Sequence, residues 1–287
     1  MKKLAIIFFI MPMLLIPAQR AQAQLIPAKE DIPTNDPGMK YGFHATAEAE
    51  HKIFPYLVAN IGTEVRMQGD FLYDRQWRFH GGAEYKLAKR FWLTGEYTLI
   101  RKHRDGDKVS IRHRVSIGLK ETYKFNKKAK ITFSERLQWT HRIGDMNEFQ
   151  SARDQFAIKL KAKFSYDISK KVGLFASGEV RVSLREPNLG DIYYDASQWQ
   201  YTDAGGSPVG EPGWFLDGFN KLAVNRLRGN IGAEYNFNKQ HKLQLSALLD
   251  FDRELLIDSD KKGTVIKSLV NDRRLTLYGR ITYSFSF

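Results

Sequence analysis

Cysteine is absent from all 287 residues. That excludes disulfides, thiol chemistry, cysteine metal ligands and a lipid anchor on cysteine. Long apolar runs are scarce as well: beyond residue 23 no stretch of 18 apolar residues occurs, so no transmembrane helix is expected. This says nothing against a β-barrel, whose strands alternate and keep the average hydropathy low. Metal motifs are missing too. The seven histidines are scattered, with no H-x-x-x-H pair, and "DSDKKG" (258–263) resembles a calcium loop only weakly, without the remaining ligand spacing. No metal and no cofactor are therefore expected. The formal charge is +13, from 45 Lys and Arg against 32 Asp and Glu. These basic residues form no block, and with the export argued next they do not point to nucleic acid.

The N-terminus carries an address. Lys2 and Lys3 precede the apolar run "LAIIFFIMPMLLIPA", and Ala21 and Ala23 supply an A-x-A site. A basic n-region, an apolar h-region and small residues describe a signal peptide over 1–23, cut between Ala23 and Gln24. The alternative, a membrane anchor, is disfavoured by Pro12, Pro17 and the short run. Loss of Lys2, Lys3 and Arg20 takes the charge from +13 to +10.

What the chain has in abundance is alternation. In the terminal "RRLTLYGRITYSFSF", Leu275, Leu277, Gly279, Ile281, Tyr283, Phe285 and Phe287 oppose Arg274, Thr276, Tyr278, Arg280, Thr282, Ser284 and Ser286. Period two puts each set on one side of a sheet. The layout repeats: "FHATAEAEHKIFPYLVANIGTEVR" aligns with "FHGGAEYKLAKRFWLTGEYTLIR", and three further segments follow the same plan. Each is an alternating strand, a short Lys- or Asn-rich turn and a second alternating strand, which describes a string of hairpins.

Eleven strands are read directly, at 40–50, 53–67, 76–87, 91–101, 109–125, 130–142, 151–166, 172–185, 222–237, 242–254 and 272–287. Their length exceeds the usual soluble strand and suits a tilted bilayer crossing. Short turns near 51–52, 88–90, 126–129, 167–171 and 238–241 alternate with longer connections, the outer-membrane pattern. The connection 186–221 is too long to be passive. Aromatics flank the short turns as an interfacial girdle would: Tyr85 and Phe91, Tyr123 and Phe133, Phe164 and Tyr166, Tyr235 and Phe237. A soluble β-sandwich is the alternative, but it needs its apolar faces to meet and does not need strands this long. The expected fold is an all-β, antiparallel up-and-down transmembrane barrel over 39–287, after an N-terminal extension at 24–38. Even strand numbers are the bacterial habit, so about twelve strands are expected, with a twelfth inside 24–38 and ten as the fallback.

The wet face is basic. Arg112, Arg114, Arg136, Lys159, Lys161, Lys163, Arg181, Arg226, Arg228, Arg274 and Arg280 share it with Arg66, Arg78 and Arg185. Glu64, Glu84, Glu96, Glu179, Glu234 and Asp250 are its acids. On a closed barrel this face lines the lumen. Lys159, Lys161 and Lys163 form a row that no acid of their own strand offsets. Two readings stay open: a salt-bridged plug, and a basic passage or pocket for small anions. No catalytic set emerges. His113 lies on the apolar face between Ile111 and Val115 with neither Ser nor acid two residues away. His44 and His80 sit on the wet face, and Glu135 lies on the apolar face, where a carboxylate is costly in lipid. An enzyme is therefore not expected.

The signal peptide, the Lys/Asn-turn hairpins, strands ending in "EVR" or "GEVRVSL" and the aromatic terminal strand together resemble a domain-of-unknown-function family of small outer-membrane barrels from Gram-negative bacteria. The likeness covers about residues 38–287. It implies outer-membrane localisation, contact with membrane lipid and no assigned activity. "YSFSF" also resembles the C-terminal signal taken up by the barrel-assembly machinery, with Phe287 as its final residue. The functional expectation is passage or binding of small anionic solutes. The alternatives are a structural or surface-interaction barrel displaying 186–221 and, third, a lipid-modifying enzyme.

Overall fold

The structure, a computed structural model, describes residues 34–36, 38–68, 75–104, 108–144, 153–184, 192–201, 208–216, 223–259 and 266–287. The expected signal peptide, its Ala23–Gln24 cut and most of the 24–38 extension lie outside these residues. Fourteen strands are described, in chain order β1 (Thr34–Asn35), β2 (Met39–Phe54), β3 (Leu57–Gln68), β4 (Arg75–Lys86), β5 (Phe91–Arg104), β6 (Lys108–Lys124) and β7 (Ala129–Ile143). They continue as β8 (Asp154–Asp167), β9 (Val172–Ser183), β10 (Ile192–Tyr201), β11 (Pro208–Leu216), β12 (Ala223–Asn236), β13 (His241–Ser259) and β14 (Ile266–Ser286). Among the described residues every regular element is a strand.

The strands read from alternation pair in sequence order, β2 to β9 and then β12 to β14, and β14 returns to β2. The closed barrel therefore has eleven strands. All neighbouring pairs are antiparallel except the closing one, which is parallel and runs from Leu275 opposite Met39 to Ser286 opposite Glu50. This is a matter of parity: with an odd number of up-and-down strands, the first and last point the same way. The expected twelfth strand exists as β1, two residues that pair in parallel with Asn271 and Asp272 of β14. β1 lies along the same edge of β14 as β2, so it continues the first strand. Pro37, which has no amide hydrogen, and Gly38, at φ 77°, separate the two.

The register is staggered. A row of paired residues leaves β2 at Lys52, near its turn end, and passes Val58, Glu84, Thr94, Gly118, Arg136, Lys159, Arg181, Arg226 and Asp252. It reaches β14 at Arg274, the opposite end, next to the Leu275–Met39 pair. Such shear is what tilts the strands of a closed barrel, typically by about 35–45°.

Three of the short turns share one mechanism. In "FNKKA", "ISKKV" and "FNKQH" an Asn or Ser in second place accepts hydrogen bonds from two following backbone amides. Asn126 Oδ1 takes Lys128 and Ala129 at 2.7 Å each, Ser169 Oγ takes Lys171 and Val172 at 3.2 and 3.0 Å, and Asn238 Oδ1 takes Gln240 and His241 at 2.8 Å each. This is the Asx- or Ser-turn that those residues favour, and the lysines are left at exposed turn tips. The first turn falls at Pro55–Tyr56 rather than at 51–52, because β2 continues to Phe54 past a register shift. β13 and β14 run well beyond 254 and before 272, so the long connection at that point shortens to 260–265. The connection 186–221 contains a separate hairpin of β10 and β11.

The partition of side chains excludes the sandwich. Among described residues, eighteen buried side chains are polar and six apolar, while exposed large hydrophobics occur on every barrel strand from β2 onward, most fully on β6 at Val109, Ile111, Val115, Ile117 and Leu119. Ile117, Ile61 and Ile231 are 54%, 67% and 64% exposed, whereas Glu64, Gln138 and Asn230 are buried. A soluble domain buries its aliphatics; here they face outward all round. Aromatics gather at the turn end, where Tyr56 meets Tyr85, Tyr123 meets Phe133 and Tyr235 meets Phe237 at centroid distances of 5.7, 6.3 and 5.0 Å.

Candidate functional site

The inner face encloses a cavity of about 340 Å³ midway along the barrel, lined by nine basic and four acidic side chains. Of the eleven basic residues expected to line the lumen, Arg114, Arg136, Lys159, Lys161, Lys163, Arg228 and Arg280 border this cavity, together with Arg66 and Arg78. Arg112, Arg181, Arg226 and Arg274 have the same inward parity but lie nearer the loop end and do not border it. Arg274 is held there by Glu254 at 2.6 Å and Asp272 at 2.7 Å. Glycines make room inside. A Cβ at Gly62 would meet the His80 ring, and one at Gly232 would meet Phe175 and the Leu245 carbonyl.

Register decides which charges meet. One row places Arg136, Lys159, Arg181 and Arg226 side by side on β7, β8, β9 and β12. The adjacent row alternates as Lys161, Glu179, Arg228 and Asp250. Two cations about 5 Å apart repel by about 3 kcal/mol at an effective dielectric near 20, so an all-cationic row needs acids from next door. Glu179 faces Arg228 at 3.4 Å and Lys159 at 3.9 Å. Asp250 faces Arg228 at 2.8 Å and Arg226 at 3.5 Å, and Asp252 also binds Arg226. Across the lumen Glu64 binds Arg66 and lies 3.7 Å from Arg78, while Glu96 accepts from Arg136 at 3.3 Å.

The lysine row is less bare than its own strand suggests. Lys163 pairs with Glu234 of β12 at 2.8 Å and lies over the Phe175 ring at 4.4 Å. Lys159 has Glu179. Lys161 has no carboxylate within 4.0 Å among the described residues, although Glu179 is its register partner. Glu179 and Glu234 belong to other strands, and β12 follows the long connection, so intrastrand spacing could not reveal these partners.

Outside the lumen, His113 keeps its outward position and meets Tyr97 Oη at 2.6 Å from the neighbouring strand. His141 and Trp139, both outward, share Asp154 at 2.8 and 2.9 Å. Glu135 is likewise outward, opposite Leu119 and Leu160. His44 is 1% exposed and packs against Tyr278 with ring centroids 4.2 Å apart, whereas His80 borders the cavity. Phe287 docks at the closing seam: its amide donates to Glu50 O at 3.0 Å, its carbonyl lies 2.8 Å from His51 Nδ1, and its ring stacks on His51. Among described residues no group of three His, Cys, Asp or Glu could hold a metal; residues 260–263 of "DSDKKG" lie outside that description. Among known proteins, no family model matches the chain and no curated sequence matches it.

Glu179 is the pivot of the paired charges. Glu179→Gln should leave Arg228 and Lys159 short of an acid and cost about 1–3 kcal/mol, read as a lower urea midpoint for the barrel folded into lipid vesicles. Glu254→Gln, at the more exposed loop end, should stay within about 0.5 kcal/mol. Equal midpoints for the two variants would show that solvent, not pairing, stabilises the inner cations.

Proposed function

We propose that the chain is an outer-membrane β-barrel whose basic lumen binds and passes small anionic solutes. The observation that carries this reading is the 340 Å³ cavity with nine basic and four acidic side chains around it. In a water-filled interior walled by low-dielectric protein, such an excess concentrates anions and repels cations. The outward aliphatic surface and the aromatic turn end fit a bilayer with interfacial girdles. The expected signal peptide over 1–23 and the resemblance to small Gram-negative outer-membrane barrels of unknown function support that membrane as the location, with lipid around the barrel and the assembly machinery as the partner proposed to read Phe287. The reading assigns no catalytic step. The second reading, a surface-interaction barrel, draws on the hairpin of β10 and β11 inside the long connection.

Reversing Lys159, Lys161 and Lys163 together to Glu should reduce or invert anion preference in reversal-potential measurements, most clearly at low salt where screening is weak. A wild-type protein that forms no conducting unit in planar bilayers would favour the plug and the interaction barrel. Removing Phe287 should lower outer-membrane insertion, while the fraction that inserts still migrates faster on gels unheated than boiled. Normal insertion of the truncated chain at native expression would reduce Phe287 to a seam residue.

A further inference from the structure

Most cations around the cavity are matched with a carboxylate, and the exceptions are informative. Lys161 on β8 and Arg280 on β14 both border the cavity, and neither has a carboxylate within 4.0 Å among the described residues. They stand on well-separated strands and line the same cavity. The register neighbours of Arg280 are Ser246 and His44, so its own sheet offers it no anion. Its Nε is buried without a hydrogen-bond partner, as are both ring nitrogens of His44 and the hydroxyl of Thr46. The nearby acids are engaged elsewhere: Glu48 accepts from Ser284 at 2.7 Å, Glu64 is shared by Arg66 and Arg78, and Glu179 by Arg228 and Lys159. Positive charge thus exceeds negative at one place in the lumen, and Arg280 Nε is a buried donor without an acceptor. Buried donors without acceptors are costly, so this arrangement calls for an anion with several acceptor oxygens.

We propose that Lys161 and Arg280 form a clamp for a tetrahedral oxyanion of the phosphate or sulfate type, held inside the basic lumen on which the proposed function rests. The geometry of the groups selects the ligand. A guanidinium presents a planar fork of donors and an ammonium presents a compact point charge. A carboxylate directs both oxygens to one side and satisfies one wall. A tetrahedral dianion directs oxygens both ways, so it can meet Arg280 on one wall and Lys161 on another. Arg114, which donates to Thr140 Oγ1 at 3.1 Å and has threonines as both register neighbours, offers a further cation along the same cavity. Successive sites of moderate strength are what allow an ion to enter and leave.

The test uses the full barrel in planar bilayers carrying a chloride current, with sodium phosphate, sulfate or acetate added at equal ionic strength and pH 7. Phosphate or sulfate should block the current and acetate should not. Lys161→Gln and Arg280→Gln should each raise the half-blocking concentration about tenfold, the loss expected for one charge-assisted hydrogen bond. Lys239→Gln, at an exposed turn, should leave it unchanged, and heat-dependent gel mobility should show all variants folded. Block by phosphate alone or sulfate alone supports the clamp and identifies its ligand. Equal block by acetate, or undiminished block in both variants, overturns it. Chloride current untouched by phosphate and sulfate also overturns the clamp while leaving anion passage standing. If no current flows, calorimetry of phosphate and of sulfate with the detergent-solubilised barrel decides. Binding of either that weakens in both variants supports the clamp without passage, and no binding of either removes it.

Discussion

The parallel pairing of β2 with β14 is the contact on which the rest of the structure depends. Without it, a twelve-residue stretch of each strand would be an open edge on which every second residue left its amide and carbonyl unpaired, which lipid cannot satisfy. Side chains reinforce the closure along its length. Asn35 donates to Asp272 at 3.1 Å near the loop end, Ser284 to Glu48 at 2.7 Å further down, and Phe287 binds Glu50 and His51 at the turn end. Closure turns alternation into topology: each strand's even or odd set becomes wall or lining, with no third choice. The position of every lumen charge follows from that seam and from the shear it fixes.

A lumen this narrow sets two demands against each other. Polar side chains must be hydrogen-bonded where water is scarce, which favours pairing, yet cations outnumber acids around the cavity. The chain resolves the conflict by sharing. Glu64, Glu179 and Asp250 each serve two cations, so acids few in number neutralise a larger basic set. What sharing leaves without a carboxylate within 4.0 Å among the described residues are Lys161, whose register partner Glu179 is taken by Arg228 and Lys159, and Arg280 and Arg114, whose register neighbours are serine, histidine and threonine. In the proposed reading the paired charges are scaffold and the unmatched ones are the part of the lumen that meets an anion.

Much of this was legible in the sequence because a barrel strand repeats with period two and each inner position is fixed by parity. The eleven main strands, the inward direction of all eleven basic residues and the outward direction of Glu135 and His113 follow from counting alone. Asn126, Ser169 and Asn238 marked their turns for the same local reason. Whatever depends on inter-strand register was hidden. Glu234 reaches Lys163 from β12, and that alignment depends on how β9 and β12 meet on either side of the long connection. The stagger that carries Arg112, Arg181, Arg226 and Arg274 past the cavity toward the loop end is invisible within any one strand. The parallel seam follows from an odd count, which the preference for even numbers obscured, because β1 is a two-residue continuation of the first strand and not a separate crossing.

The central claim is that the chain is a membrane barrel with lipid outside and water inside, and the absence of cysteine makes it directly measurable. Single cysteines placed one at a time from Leu227 to Tyr235 on β12, leaving out Gly232 where a Cβ finds no room, can each carry a spin label in vesicle-reconstituted protein. Collisions with oxygen report lipid and collisions with a nickel chelate report water. Oxygen accessibility should peak at Leu227, Gly229, Ile231, Ala233 and Tyr235. Chelate accessibility should peak, in opposite phase, at Arg228, Asn230 and Glu234. Chelate maxima at the odd positions, or the absence of any two-residue period, would contradict a lipid-facing exterior around a polar lumen.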